Sequence, residues 1–197
     1  MKIALFGGTF NPIHNGHIYL VMSAIQQLNF DKVLIIPNNI PPHKPIPNEV
    51  SNKNRFDMCC LATKGYDKIE VSDIELKKAS ISYTIDTITE MKKQYKNDEI
   101  YLLLGSDMFL SFSSWKRPHD IFKIANICVL PRDDNIDKVS SKCDYFCKLG
   151  ATIEVLNAKP FKVSSTEIRE KVFLGEQVSN LLSDEVERYI KNNNLYK

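Results

Sequence analysis

The segment Gly7-Gly8-Thr9-Phe10-Asn11-Pro12-Ile13-His14-Asn15-Gly16-His17 restricts what this chain can fold into more than any other stretch. An apolar run, Ile3-Ala4-Leu5-Phe6, precedes it, and apolar residues at helical spacing follow it: Ile18, Val21, Met22, Ile25 and Leu28. The order is therefore strand, tight loop, helix. The glycine pair lets the backbone turn sharply and leaves amides uncovered, while the free N–H groups and dipole of the next helix favour phosphate. His14 and His17 fall on that side as imidazole donors, and Gly16 removes side-chain bulk between them. The chain has neither a GxGxxG fingerprint nor a glycine-lysine-serine/threonine after the loop, which sets aside the dinucleotide-fold and Walker mechanisms. A lone histidine would more often cap a helix or pack on a neighbour. Two of them beside a glycine turn, a proline and a helix start argue for a ligand.

The rest of the chain alternates strand and helix patterns. Asp31–Pro37 reads as a second buried strand, followed by a proline-rich loop, 38–47, that holds Lys44 on a stiff arm near a strand's carboxyl end. A helix is expected over 51–64 with Phe56, Cys59, Cys60 and Leu61 inward; Arg55 in its first turns is either a solvated cation or part of the substrate side. Residues 69–75 alternate like a half-exposed strand, and Ser82-Tyr83-Thr84 opens a helix able to hold a second anion. Glu99–Asp107 is the clearest buried strand. It ends in Gly105 and Asp107, and Asp107 suits a helix cap or a ribose hydroxyl, position favouring the ribose. The sole tryptophan, Trp115, lies beside Lys116 in a polar stretch, as a stacking platform would. Further strands are expected over 125–132 and 152–156, with a helix between them ending near Gly150. Such alternation implies right-handed crossovers and an α/β, doubly wound parallel sheet in a single domain spanning 1–197. The segment after Val163 supplies a second cluster. Ser164 and Glu167 form a capping-box pattern, and Arg169 shares a face with Ser165 and Thr166, a polar cationic nest suited to phosphates.

Composition enters by what it excludes. With 43% hydrophobic and 25% charged residues and a net charge of +2, the chain is ordinary for a globular protein and unlike a nucleic-acid coat. No apolar run approaches the roughly 18 to 20 residues that span a bilayer, and Met1-Lys2-Ile3-Ala4 enters a strand directly, so a cytoplasmic protein without a membrane partner is expected. Five cysteines, an odd number in a reducing setting, argue against structural disulfides. Cys143 and Cys147 stand four apart without a second ligand pair and read as a partly buried helical face.

The loop Thr9-Phe10-Asn11-Pro12-Ile13-His14-Asn15-Gly16-His17 resembles the (T/S)-x-x-x-x-H-x-G-H signature of a nucleotidyltransferase superfamily. With Pro-Pro-His-Lys, Ser-Tyr-Thr-Ile-Asp-Thr, Leu-Gly-Ser-Asp, Trp115 and Ser-Ser-Thr-Glu-Ile-Arg, the chain is similar to the bacterial nicotinate-nucleotide adenylyltransferases from residue 1 to about 190. That resemblance implies a Rossmann-like nucleotidyltransferase fold and transfer of AMP from ATP to nicotinate mononucleotide, with magnesium carried on the ATP and no protein metal site. It assigns His14, His17 and Arg169 to catalysis, and Gly7, Gly8, Thr9, Phe10, Ser164, Ser165 and Thr166 to ATP. Lys44, Arg55, Tyr83, Thr84, Gly105, Asp107, Trp115 and Lys116 go to the mononucleotide. Two departures stand out: Asn11 replaces a common aspartate, and Lys116 a frequent aromatic. A phosphopantetheine adenylyltransferase, a nicotinamide-preferring relative and a catalytically silent nucleotide sensor stay open as rivals. The assembly state is open too, a homo-oligomer among its options.

Overall fold

A computed structural model describes residues 1–40, 50–78, 81–130, 136–158 and 163–197. The strands are β1 (Lys2–Gly8), β2 (Lys32–Pro37), β3 (Ile69–Val71), β4 (Glu99–Gly105), β5 (Asn126–Leu130) and β6 (Ile153–Val155). They form one six-stranded sheet in the order β3-β2-β1-β4-β5-β6, and every pairing is parallel. The helices are α1 (Asn15–Leu28), α2 (Asn52–Ala62), α3 (Thr84–Gln94), α4 (Ser106–Leu110), α5 (Pro118–Phe122), α6 (Ile136–Lys148), α7 (Ser165–Phe173) and α8 (Asp184–Asn192).

The period-two alternation of side chains divides the apolar strand residues between two cores. Ala4, Phe6, Val33, Ile35, Leu103 and Cys128 meet α1, α2, α7 and α8 through residues such as Val21, Met58, Ile168 and Val186. Ile3, Leu5, Leu34, Ile36, Leu102, Leu104 and Ile127 meet α3 to α6 through Ile88, Phe109, Ile121 and Phe146. Helices on both faces are what turn these strands into near-continuous apolar runs.

From β1 the chain winds outward to β3, then crosses back to place β4 on the other side of β1. At that reversal the two strands part. Their pairing stops at Leu5 and Leu102, although β1 continues to Gly8 and β4 to Gly105. β1 stays paired to β2 as far as Gly8 and Pro37. A crevice outside the carboxyl ends of β1 and β4 is where open α/β sheets take their ligands.

Several local expectations change. The strand expected over 69–75 ends at Val71, and the chain turns so that Glu75 is buried, because β3 is an edge strand with one neighbour. In α2 the core contacts are Met58, Cys59 and Ala62; Cys60 is exposed and Phe56 and Leu61 are only half-buried. The helix expected from Ser82 begins at Thr84 with Tyr83 as its N-cap residue. On α6, Cys143 is half-buried and Cys147 exposed. Among the described residues no helix is long and apolar enough to cross a membrane.

Phe112, wholly buried, joins Trp115, Phe122 and Phe146 in one aromatic cluster with centroids 4.9, 5.4 and 5.7 Å from its ring. Phe112→Ala should lower stability in urea by about 3 to 5 kcal/mol and shift the emission of Trp115 to the red.

Candidate active site

The loop after β1 is built by contacts to four other parts of the chain. Gly7 and Gly8 end the strand at the crevice, and the Asn38 N–H donates to the Gly8 carbonyl at 2.9 Å. Thr9 follows, its carbonyl accepting from Arg55 Nη1 at 2.6 Å and its hydroxyl from Asn38 Nδ2 at 3.3 Å. Phe10 takes a left-handed backbone, φ 48°, which turns its ring into the core, edge-on to Phe6 and to His17. Any contribution Phe10 makes to a ligand thus comes from its backbone. The Asn11-Pro12 bond is cis. Asn11 is buried; its Oδ1 accepts from the Tyr196 hydroxyl at 2.7 Å and its carbonyl from Arg169 Nη1 at 2.8 Å. Burial pushes the Tyr196 pKa up, so that hydroxyl stays a donor.

His14 is the N-cap residue of α1, and its backbone N–H donates to His17 Nδ1 at 3.2 Å. The two rings stack at 3.6 Å between centroids and 26° between planes. An accepting Nδ1 places the His17 ring proton on Nε2, so the hydrogen bond selects the tautomer that donates from the far side of the ring. Asn15 ties the same turn to the segment before α8: its N–H donates to the Leu181 carbonyl at 2.8 Å, and its side chain to those of Asn180 and Leu182. Gly16 is needed for close approach. A Cβ there would lie 2.7 Å from Val163 Cγ1 and 3.1 Å from His14 Nδ1.

That approach brings in α7. Ser164 caps it, accepting from the Glu167 N–H at 3.1 Å, which is the serine half of the expected capping box. Ser165 donates to the Pro12 carbonyl at 2.9 Å, and Arg169 Nη2 to the Thr166 hydroxyl at 3.1 Å. Arg169 is therefore oriented by two bonds, one to the loop and one to its own helix, with the rest of its five-donor fork left over. His14, His17, Ser164, Ser165, Thr166 and Arg169 thus form one cluster.

A second cluster surrounds the start of α3. Lys116 lies with Nζ 4.0 Å above the Tyr83 ring and 3.4 Å from the Asp86 carboxylate. Trp115, next to it, is half-buried with one side on Phe112. The polar surroundings of Trp115 had argued against a core role; the structure gives it a foot in the core and an open remainder. Asp107 is exposed in the first turn of α4, whose N-cap residue is Gly105, so Asp107 is not that helix's cap. Lys44 lies outside the described residues.

Arg55 is the largest departure from a reading by composition. It is wholly buried and not a solvated cation: Nη1 donates to the Thr9 carbonyl, and Nη2 to the Asn38 carbonyl and Asn52 Oδ1, all at 2.6 Å. Burial lowers its pKa. Asn38 and Tyr196 carried no local signal of a site, since their partners Arg55 and Asn11 lie 17 and 185 positions away, and Asn52 joins the site only through Arg55, three positions on, which is itself buried. Among the described residues no group of three or more His, Cys, Asp or Glu could hold a metal ion.

Comparison with known proteins gives the family and the fold. The family model described as Cytidylyltransferase-like matches residues 5–171. A probable nicotinate-nucleotide adenylyltransferase of Borreliella afzelii is 41% identical over 196 residues, covering 100% of this chain and 97% of the relative. Its counterpart in Dictyoglomus thermophilum is 41% identical over 197 residues, covering 100% of both. Among solved structures, Plasmodium falciparum nicotinic acid mononucleotide adenylyltransferase complexed with NaAD superposes with a TM-score of 0.81 at 20% identity, covering 99% of this chain and 97% of that one.

Gly16→Ala should destabilise the protein by about 1 kcal/mol, overpacking exceeding the gain in helix propensity. Val163→Ala in the same chain should recover the loss by removing the clashing methyl groups, as urea titration of the single and double variants will show.

Proposed function

Because the chain belongs to the nicotinate-nucleotide adenylyltransferases of the Cytidylyltransferase-like family, we propose that it transfers AMP from ATP to nicotinate mononucleotide, giving deamido-NAD and pyrophosphate. The observation that carries the reading is the pair of clusters beside one crevice: imidazole, hydroxyl and guanidinium donors around the β1 loop, and an aromatic, cationic helix start at α3.

No covalent nucleophile is required. The mononucleotide phosphate is already an anion; one of its oxygens forms a bond to the α-phosphorus of ATP while the bond from that phosphorus to the α,β-bridging oxygen breaks, and pyrophosphate leaves with the electron pair. Catalysis is positioning and charge stabilisation. His17 Nε2–H meets charge building on the phosphates, His14 holds that ring in place, and Arg169 spreads its remaining donors over the pyrophosphate with Ser164 to Thr166 around it. Gly7, Gly8 and Thr9 contribute backbone, and Arg55 supports them from behind. Magnesium carried with the ATP would neutralise part of the triphosphate charge as a hard cation, with no carboxylate cluster of the described residues assigned to it. Trp115 stacks on the pyridine ring, Asp107 and Gly105 face the ribose side, and Lys44 and Lys116 add charge around the mononucleotide. We place the reaction in the cytoplasm, with which five free cysteines agree.

His17→Ala should slow turnover by about 100- to 1,000-fold, near 3 kcal/mol, with an unchanged fold by circular dichroism; turnover near that of the parent would remove His17 from the mechanism. Trp115→Ala should raise the KM of the mononucleotide far more than that of ATP, and binding of the mononucleotide should change tryptophan emission.

The site should also prefer the acid to the amide. First-turn N–H groups of α3 and its positive end suit a carboxylate, and the Lys116 backbone N–H offers another donor. An amide would bring its own N–H₂ against those donors, which discriminates by a factor of roughly 10⁴. Comparable kcat/KM values for nicotinate and nicotinamide mononucleotide would favour a dual-specificity enzyme instead.

A further inference from the structure

Apart from His14, the charged side chains buried among the described residues are Arg55, at 0% exposure, and Glu75, at 7%. A series of polar contacts runs between them. Arg55 Nη2 donates to Asn52 Oδ1 at 2.6 Å, and Asn52 Nδ2 donates to Asn39 Oδ1 at 2.6 Å. The backbone N–H of Asn39 donates to Ser82 Oγ at 3.1 Å, and the Ser82 hydroxyl lies near enough to the Glu75 carboxylate to favour its charged form. Thr87 donates to the same carboxylate at 2.7 Å. At Asn39 the series passes from the side-chain amide, whose own Nδ2 donates to the Lys78 carbonyl, to the backbone N–H, so it acts as a line of structural ties that fixes where the segments sit.

The ends of the series are placed at the two halves of the site. At one end Arg55 also holds the carbonyls of Thr9 and Asn38, fixing the phosphate loop. At the other, Ser82 and Thr87 bracket Tyr83 and Thr84, the residues that open α3, and the Ser82 N–H adds a bond to the Ile40 carbonyl at 3.0 Å. Burial pushes the Glu75 pKa up, and the hydroxyls of Thr87 and Ser82 pull it back toward the charged form.

We propose that Glu75 is a positioning residue for the acceptor nucleotide: it holds the first turn of α3 through Thr87 and anchors a relay of contacts through Ser82, Asn39, Asn52 and Arg55 that sets the start of α3 against the phosphate loop. Glu75 touches no substrate; it acts through the helix start. The inference rests on the reading of α3 as the mononucleotide's binding element.

The test cuts the relay at two points outside the binding surface, Glu75→Gln and Asn52→Ala, alone and together. Initial rates of pyrophosphate release are measured with each substrate varied. Each single variant should raise the KM of nicotinate mononucleotide about 10-fold while kcat and the KM of ATP change less than about threefold. The double variant should do no more than one single, because one chain is being cut twice. Effects that multiply, singles with an unchanged mononucleotide KM, or equal rises in both KMs would each overturn the relay. Should Glu75→Gln fail to fold, Thr87→Val removes one hydroxyl from the carboxylate at nearly constant shape, and about a threefold rise in the same KM is expected.

Amide hydrogen exchange of the free protein separates this inference from the acceptor's identity. Either cut should speed exchange at both residues 82–87 and residues 8–10; acceleration at the cut end alone would overturn the relay. If the unaltered protein shows no turnover with nicotinate mononucleotide, the acceptor reading falls, and the exchange result still decides whether the two loops are tied.

Discussion

The parting of β1 from β4 after Leu5 and Leu102 is the constraint on which the site depends. Parallel strands joined by right-handed crossovers must place helices on both faces, and the chain can leave the middle of its sheet in only two directions. Here it goes to β2 and β3 first and to β4, β5 and β6 afterwards. The loops after β1 and β4 are thereby sent to opposite sides, and nothing in the sheet fills the space between them. The backbone groups there cannot be satisfied by strand pairing and must find partners in other segments or in a ligand.

A crevice alone would not hold the loop in one shape, and the loop has little apolar surface of its own beyond Phe10 and Ile13. Its carbonyls are held instead by side chains reaching in from elsewhere: Arg55 on Thr9, Arg169 on Asn11 and Ser165 on Pro12. Three carbonyls are bound by donors from two helices. This division of labour engages the loop's C=O groups with cations and hydroxyls, so that they do not face an approaching anion. Burying Arg55 completely is unfavourable by itself, and a guanidinium is the side chain that can offset it, with donors fanned toward several oxygens at once.

How legible this was follows from the range of each interaction. The strand-loop-helix at 1–28, the buried strands and the cap at Ser164 depend on neighbours within about one turn, and these were visible in the sequence. His14, Gly16 and His17 were visible for the same reason. The burial of Arg55, named only as a solvated or substrate-side cation, and of Glu75 was not. A charged residue on an amphipathic segment ordinarily faces water, and only the return of Thr9, Asn52, Ser82 and Thr87 around them turns these two inward. Cys60 failed in the other direction: the pattern in α2 gave Phe56, Cys59, Cys60 and Leu61 equal claims on the core, and it is Met58 and Ala62 that join Cys59 there, through contact with α8 and the sheet. The roles of Asn11 and Tyr196 rest on a bond across 185 positions, for which no local pattern exists.

The neutral side chain of Asn11 fits this electrostatic arrangement. It is buried, its Oδ1 accepts a hydrogen bond from the Tyr196 hydroxyl, and its carbonyl accepts one from an Arg169 N–H. A carboxylate at the same point would accept from the Tyr196 hydroxyl as well, and more strongly, but would set a full negative charge next to the Arg169 guanidinium, which is proposed to meet the nucleotide phosphates. Part of that cation's field would then be spent on the protein. With asparagine, the loop is tied down by a dipole, and the positive charge of Arg169 stays available to the incoming anion. The same logic separates Arg55 from Arg169. The first is surrounded by protein oxygens and serves the loop's shape, whereas the second is half-exposed, held by two of its donors and able to extend the others. Two arginines near one loop therefore divide into a support and a contact according to burial, a distinction their shared chemistry does not reveal.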